Sequence, residues 1–151
     1  IFSYCGNINF WHGVDRIIPI LDELEKRGLQ YKFYLVGGQD DRYTREVRDK
    51  FRKLRNTQII ESREKSTLEA YIRRSDYCFL PVANVRTSPG NPIKLFDYVR
   101  SGKRVITQEH LLGYSDLLPT ELGHLHIDFV NSSNAAKYLC DNLSKTDKPK
   151  E

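Results

Sequence analysis

The sequence predicts an α/β fold, a Rossmann-like, doubly wound parallel sheet of six strands. Three observations carry that expectation. Six short apolar runs alternate with helical patterns along the 151 residues. Most of these runs are near-continuous in apolar or β-branched residues rather than alternating, as strands covered on both faces require. The links between runs and helices are short, which favours parallel strands joined by right-handed crossovers. The length suits one domain with a real core.

The expected strands are residues 1–5, 32–36, 58–61, 77–82, 104–107 and 125–130. The first helix places Val14, Ile17, Ile18, Leu21 and Leu24 on one face. It ends at Lys26-Arg27-Gly28, a cationic last turn and a glycine cap. The second, residues 42–54, has a thin stripe of Tyr43, Val47, Phe51 and Leu54, and its many charges read as a solvated face. The third opens at Ser66 with Glu69 three residues on, a capping box, and packs Leu68, Tyr71 and Ile72. The fourth follows the turn cluster Ser88-Pro89-Gly90-Asn91-Pro92 and stops at Gly102. A short fifth covers 114–118, and the last, 133–144, packs Ala136, Leu139, Cys140 and Leu143. No repeat, low-complexity stretch or domain boundary interrupts the pattern. Residues 1–144 are therefore expected to form one domain, and 145–151 a frayed polar tail.

A hydrophobic content of 39% and a charged content of 29% describe a soluble globular domain. The net charge of +4 suits an anionic small ligand or a membrane-adjacent surface. No basic cluster is interleaved with exposed aromatics, so a nucleic-acid partner is not expected. Cys5, Cys78 and Cys140 have neither metal-ligand nor redox spacing. Cys5 and Cys78 lie in apolar runs and read as core thiols of a reducing compartment. No apolar run approaches the length of a membrane span. The chain starts at Ile1, inside an apparent strand, and contains no methionine, so it reads as a domain taken from a longer protein.

In such a sheet the ligand sits beyond the carboxyl ends of the strands, so the loops there hold the candidate residues. The loop after the first strand, "GNINFWHG", is bracketed by Gly6 and Gly13 and leads into a helix. It reads either as backbone open to an anion or as a plain strand-to-helix turn with Trp11 packed at the edge. It has neither G-x-G-x-x-G nor the Walker lysine pattern, which argues against ordinary nicotinamide binding and P-loop hydrolysis. "VGG", Val36 to Gly38, implies a tight turn or a close backbone approach. "QDD", Gln39 to Asp41, reads as an N-cap and first-turn acid before a metal site. "ESREKS" places Ser62 and Arg63 either at a ligand's edge or on a solvated loop. In "NVRTSPGNP", Pro92 fits a first helical turn and Gly90 and Asn91 keep the backbone adaptable. The free N–H groups of Ile93 and Lys94, with the Lys94 ammonium, then make an anion pocket. Asp97, at i+3 from Lys94, can accept two hydroxyl hydrogen bonds; the alternative is a surface Lys–Asp pair.

Four segments together resemble a family. They are "YCGNINFWHGVDRIIPIL", "KFYLVGG", "LEAYIRRSDYCFLPV" and "NPIKLFDYVRSGKRVI", in that order. The last is similar to a P-x-K-x-x-E-Y-x-x-x-G-x-x-V-I signature. The chain resembles the C-terminal, donor-binding domain of retaining glycosyltransferases with the GT-B fold, of the glycosyltransferase group 1 type. The resemblance implies a nucleoside diphosphate sugar whose diphosphate lies on the fourth helix's N-terminus and the first loop. It implies ribose binding by Asp97 and contact with the base near Ser62 and Arg63.

The family's first glutamate falls at Pro89 and its second at Asp97, and the usual arginine and lysine of the first loop fall at Asn7 or a neighbour and at His12. The expected site is therefore His12 and Lys94 stabilising the leaving diphosphate. Gly6, Asn7, Gly13, Ser62, Arg63, Gly90, Asn91, Ile93 and Asp97 bind the donor. The resemblance implies no cofactor and no required metal. The expected function is hexosyl transfer to a polysaccharide or glycolipid of bacterial type, with the isolated domain inactive. The implied partner is an N-terminal acceptor domain, in a cytoplasmic protein that is free or peripheral at the inner face of a membrane. A degenerate binding module and a sugar-nucleotide epimerase are the other readings.

Overall fold

Apolar side chains on both faces of each central strand can be buried only if helices cover both sides of the sheet. The computed structural model, which describes residues 1–81, 93–110 and 114–146, shows that arrangement. The strands are β1 (Phe2–Cys5), β2 (Phe33–Val36), β3 (Thr57–Ile60), β4 (Tyr77–Leu80), β5 (Arg104–Gln108) and β6 (Leu125–Ile127). They form one six-stranded sheet in the order β3-β2-β1-β4-β5-β6. Every pairing is parallel. The helices are α1 (Ile17–Lys26), α2 (Arg42–Phe51), α3 (Lys65–Arg74), α4 (Ile93–Arg100), α5 (Tyr114–Leu117) and α6 (Ser132–Thr146).

Alternate residues of one strand feed opposite cores. Phe2 and Tyr4 of β1 join Phe33, Phe79 and the apolar faces of α1, α2 and α6. Cys5 joins Tyr34, Cys78, Ile72 of α3, Leu95 and Tyr98 of α4, and Leu118 just after α5. Each fully buried Leu, Ile or Phe contributes about 1.5–3 kcal/mol relative to exposure. The first core adds ring geometry, with Phe33 stacked on Phe51 and edge-on to Phe79.

Several expectations shift. The first helical face begins as a 3-10 turn, Val14–Arg16, before α1. Ile20 is buried there while Ile18 is only half-buried, because the 3-10 turn advances the register. Gly28 takes the left-handed cap expected of it, with φ +79°. The capping box at Ser66 does not form. Ser62 Oγ accepts from Glu64 N at 3.2 Å, the turn starts earlier, and α3 begins at Lys65, with Ser66 inside its first turn. Glu69 instead faces Lys65, at i,i+4 and 3.8 Å.

α2 ends at Phe51, three residues before the expected 54. Its charges are not all solvated, since Arg48 is buried. α6 continues to Thr146, so the polar tail expected from 145 is helical at its start. The expected extension of the fourth strand to Val82 lies outside the described residues. Cys5 and Cys78 are buried. Burial pushes the Cys78 thiol up to about 11, which leaves it an inert core group.

Candidate functional site

The strand order reverses direction between β1 and β4, which makes their carboxyl ends the topological switch point. Two segments leave the sheet there, the loop from Gly6 to Gly13 and the segment that leads into α4. This is where the sequence placed its two principal loops.

The first loop is held tightly on its β2 side. Gly6 N donates to Val36 O at 2.9 Å, and Gly38 N donates to Gly6 O at 2.9 Å. The amide of Gly6 is thus committed to the sheet, and its value to a ligand would lie in having no side chain. Gly37 and Gly38 do make a close backbone approach, but to this loop. A Cβ on Gly37 would sit 2.7 Å from Gly6 O.

Gln39 spans the backbone of Ile8, its Oε1 accepting from Ile8 N at 3.1 Å and its Nε2 donating to Ile8 O at 2.6 Å. Thr44 Oγ1 donates to the same carbonyl at 3.2 Å. Asp41 is the N-cap of α2, accepting from Thr44 N at 2.7 Å. That backbone hydrogen bond holds its carboxyl below the ordinary value. The "QDD" stretch is thus a cap and a loop brace.

Below these residues, Arg48 Nη2 donates to Gly37 O at 2.6 Å, with Glu61 Oε1 3.9 Å from Nη1. A buried guanidinium under the loops was not legible, because α2 carries so many exposed charges that one inward arginine gives no periodic signal.

Inside the loop, Asn7 O accepts from Tyr4 Oη at 2.6 Å and lies 3.0 Å from His12 Nδ1. His12 Nδ1 also lies 3.2 Å from Tyr4 Oη; a bond to the carbonyl makes Nδ1 the donor, whereas a bond from the phenol makes it the acceptor. Tyr4 is buried, which pushes its hydroxyl well above the ordinary tyrosine value and keeps it a donor. Gly13, at φ +61°, is the buried joint between the 3-10 turns Phe10–His12 and Val14–Arg16.

On the other side of the switch point, α4 brings Asp97 and Tyr98. Asp97 is exposed and lines a groove between α3 and α4, with Lys65, Leu68, Glu69, Arg73 and Arg100. The groove therefore joins Asp97 to the first turn of α3, directly after the loop of Ser62 and Arg63. Ser62 is half-buried and spends its hydroxyl on Glu64 N, while Arg63 is exposed. Tyr98 is fully buried, and its hydroxyl accepts from Cys5 N at 3.1 Å. Pro89, Gly90 and Asn91 lie outside the described residues, as do the side chains of Ile93 and Lys94. Among the described residues, no helix is long and apolar enough to cross a membrane.

A three-layer parallel α/β sheet with a glycine-bracketed loop at its switch point defines the class: a Rossmann-like domain. The family described as "Glycosyl transferases group 1" matches residues 1–142, and the chain belongs to that family. No curated protein matches the chain in sequence.

Solved structures share its fold. The pneumococcal O-GlcNAc transferase GtfA, in complex with UDP and GlcNAc, aligns with a TM-score of 0.72 and 15% identity over 97% of this chain and 29% of its own. Anabaena HepE in complex with UDP-glucose aligns with a TM-score of 0.70 and 14% identity over 96% of this chain and 39% of its own. The C-terminal domain of the group 1 glycosyl transferase LpcC from Francisella tularensis gives 0.70 and 16% over 96% and 75%. This chain spans only about a third of the first solved structures it matches, OtsA and an alpha,alpha-trehalose-phosphate synthase from Burkholderia vietnamiensis, 35% and 36% of their lengths. The domain is thus a GT-B-type Rossmann-like unit of a glycosyltransferase family.

Proposed function

We propose that this domain binds the nucleoside diphosphate sugar donor of a retaining glycosyltransferase that passes a hexosyl group to a polysaccharide or glycolipid acceptor. The observation that carries the reading is that the braced first loop and the amino end of α4 both lie at the switch point, with Asp97 one turn along α4.

In this reading the diphosphate lies between the first loop and the N-terminus of α4, where aligned amides favour negative charge. Gly90, Asn91 and Ile93 bind the diphosphate, and Lys94 adds its charge. Asn7 and Gly13 shape the opposite wall and Gly6 leaves room for it. Asp97 accepts the ribose hydroxyls, and Ser62 and Arg63 border the base. Transfer is helped by positioning and by stabilising charge on the leaving diphosphate rather than by a metal.

The geometry of His12 adds a condition. Its Nδ1 faces Asn7 O at 3.0 Å and Tyr4 Oη at 3.2 Å, so only the imidazolium would bring charge to the leaving diphosphate. The acceptor is held by an N-terminal domain, with the whole protein in the cytoplasm, free or at the membrane face. Residues 1–144 form the donor domain.

HepE and GtfA, solved with UDP-glucose and with UDP, support a uridine diphosphate donor as the first ligand to test. Calorimetric titration of UDP-glucose should give measurable binding to wild type. Asp97→Ala should weaken it by about tenfold, the loss of a charged hydrogen-bond acceptor. Absence of binding to UDP-, GDP- and ADP-sugars at millimolar ligand would sink the reading. Pro89 and His12, where the family has a glutamate and a lysine, favour the second reading, a non-catalytic binding module. Pro89→Glu with His12→Lys should perturb a working enzyme and can only gain binding in a degenerate one.

A further inference from the structure

The β1 strand is paired unequally. Its ladder with β2 runs through Cys5↔Val36, but its ladder with β4 stops at Ser3↔Cys78. Successive residues of a strand point their N–H and C=O groups to opposite neighbours. Gly6 N serves β2 through Val36 O, so the N–H and C=O of Cys5 face the β4 side, beyond the end of that ladder. Tyr98 occupies the missing rung. Its hydroxyl accepts from Cys5 N at 3.1 Å and lies 3.4 Å from Cys5 O, to which it donates. Both groups are buried, so the phenol supplies the amide of Cys5 with a hydrogen-bond partner away from water.

We propose that Tyr98 is a positioning residue for the donor site. Its phenol ties α4 to the root of the first loop, so that the two walls of the diphosphate pocket keep a fixed separation. The inference rests on the donor-site reading above. Tyr98 directly follows Asp97 on α4, and Cys5 directly precedes Gly6, so one hydroxyl couples the ribose-binding residue to the loop that faces the diphosphate. Tyr98 itself never touches the donor. It acts by letting the sheet open between β1 and β4, as a switch point requires, without leaving the opened strand edge unpaired.

The test is Tyr98→Phe, which keeps the ring packing and removes the hydroxyl. UDP-glucose affinity is measured well below the melting temperature, beside Leu143→Ala, a core truncation in α6 on the opposite face. Tyr98→Phe should weaken UDP-glucose binding by about tenfold, the scale of one buried hydrogen bond lost with its partner left unsatisfied. It should also speed hydrogen exchange at the Cys5 amide. Leu143→Ala should lower the melting temperature at least as much and leave affinity unchanged.

If wild type binds and Tyr98→Phe binds equally well, the positioning role is overturned while the donor reading stands. If wild type itself does not bind, both fall. Should Tyr98→Phe fail to fold, wild type alone decides: protection of the Cys5 amide should rise when UDP-glucose is added. Unchanged protection would contradict the coupling.

Discussion

The two flanks of the first loop are built differently. On the β2 flank, Gly37, Gly38, Gln39 and Thr44 grip the backbone of Gly6 and Ile8 at several points, over the buried guanidinium of Arg48. On the β4 flank, the sheet parts and the phenol of Tyr98 bridges the gap to Cys5. The first flank is redundant and close-packed, so damage there is felt as lost stability. Among the described residues the second has fewer such contacts, and on the proposed reading damage there should be felt in binding.

The largest effect should come from Gly37→Ala. Its φ of +99° already strains an L residue, and the new Cβ would stand 2.7 Å from Gly6 O, a backbone atom that cannot swing away. We expect a loss on the order of 3 kcal/mol or more, read by urea denaturation. A change under 1 kcal/mol would mean that the flank is not close-packed.

Gln39→Ala comes next. It leaves the buried amide of Ile8 without its acceptor, which should cost about 2 kcal/mol in the same assay. Equal stability of variant and wild type would show the brace to be dispensable.

A third prediction concerns a site remote from both flanks. His124 is buried and its Nδ1 accepts from Val105 N at 3.0 Å. Burial, with His126 as a smaller cause, pulls its imidazole below the ordinary value. On acidification the unfolded chain takes up this proton first. Stability is therefore intact above about pH 6.5 and lost as the pH falls toward the lowered folded value. Melting temperature should drop between pH 7.5 and 5.5, and His124→Gln should reduce that drop. An unaltered pH slope in the variant would refute this.

The smallest effect should be at the half-buried cap of α2. Asp41→Ala should lower the melting temperature slightly, and Asp41→Asn should restore most of it, because asparagine caps about as well. Two equally affected variants would point to charge rather than capping.

Much of the fold was legible because parallel strands buried on both faces leave unbroken apolar runs, as at Phe33–Val36 and Tyr77–Leu80. The loops that matter were legible too, since Gly6, Gly13, Gly37 and Gly38 all carry a positive φ that favours glycine. What they do was less so. Gly37 and Gly38 read equally well as a ligand approach or a tight turn, and only the register of β1 and β2 shows that they meet Gly6. Tyr98 falls at the tyrosine of the P-x-K-x-x-E-Y pattern, but what its hydroxyl does shows only in where the β1–β4 ladder ends, a long-range fact. Arg48 was illegible for a related reason: one buried charge among exposed ones changes no periodicity.

The most direct test of the account is an amide NMR titration of the protein with UDP-glucose. The account predicts that shifts concentrate in the first loop, around Ser62 and Arg63, and from the start of α4 through Tyr98, with a matching change at Cys5. Shifts confined to α1, α2 and α6, or none at millimolar ligand, would contradict a donor site at the β1–β4 switch point.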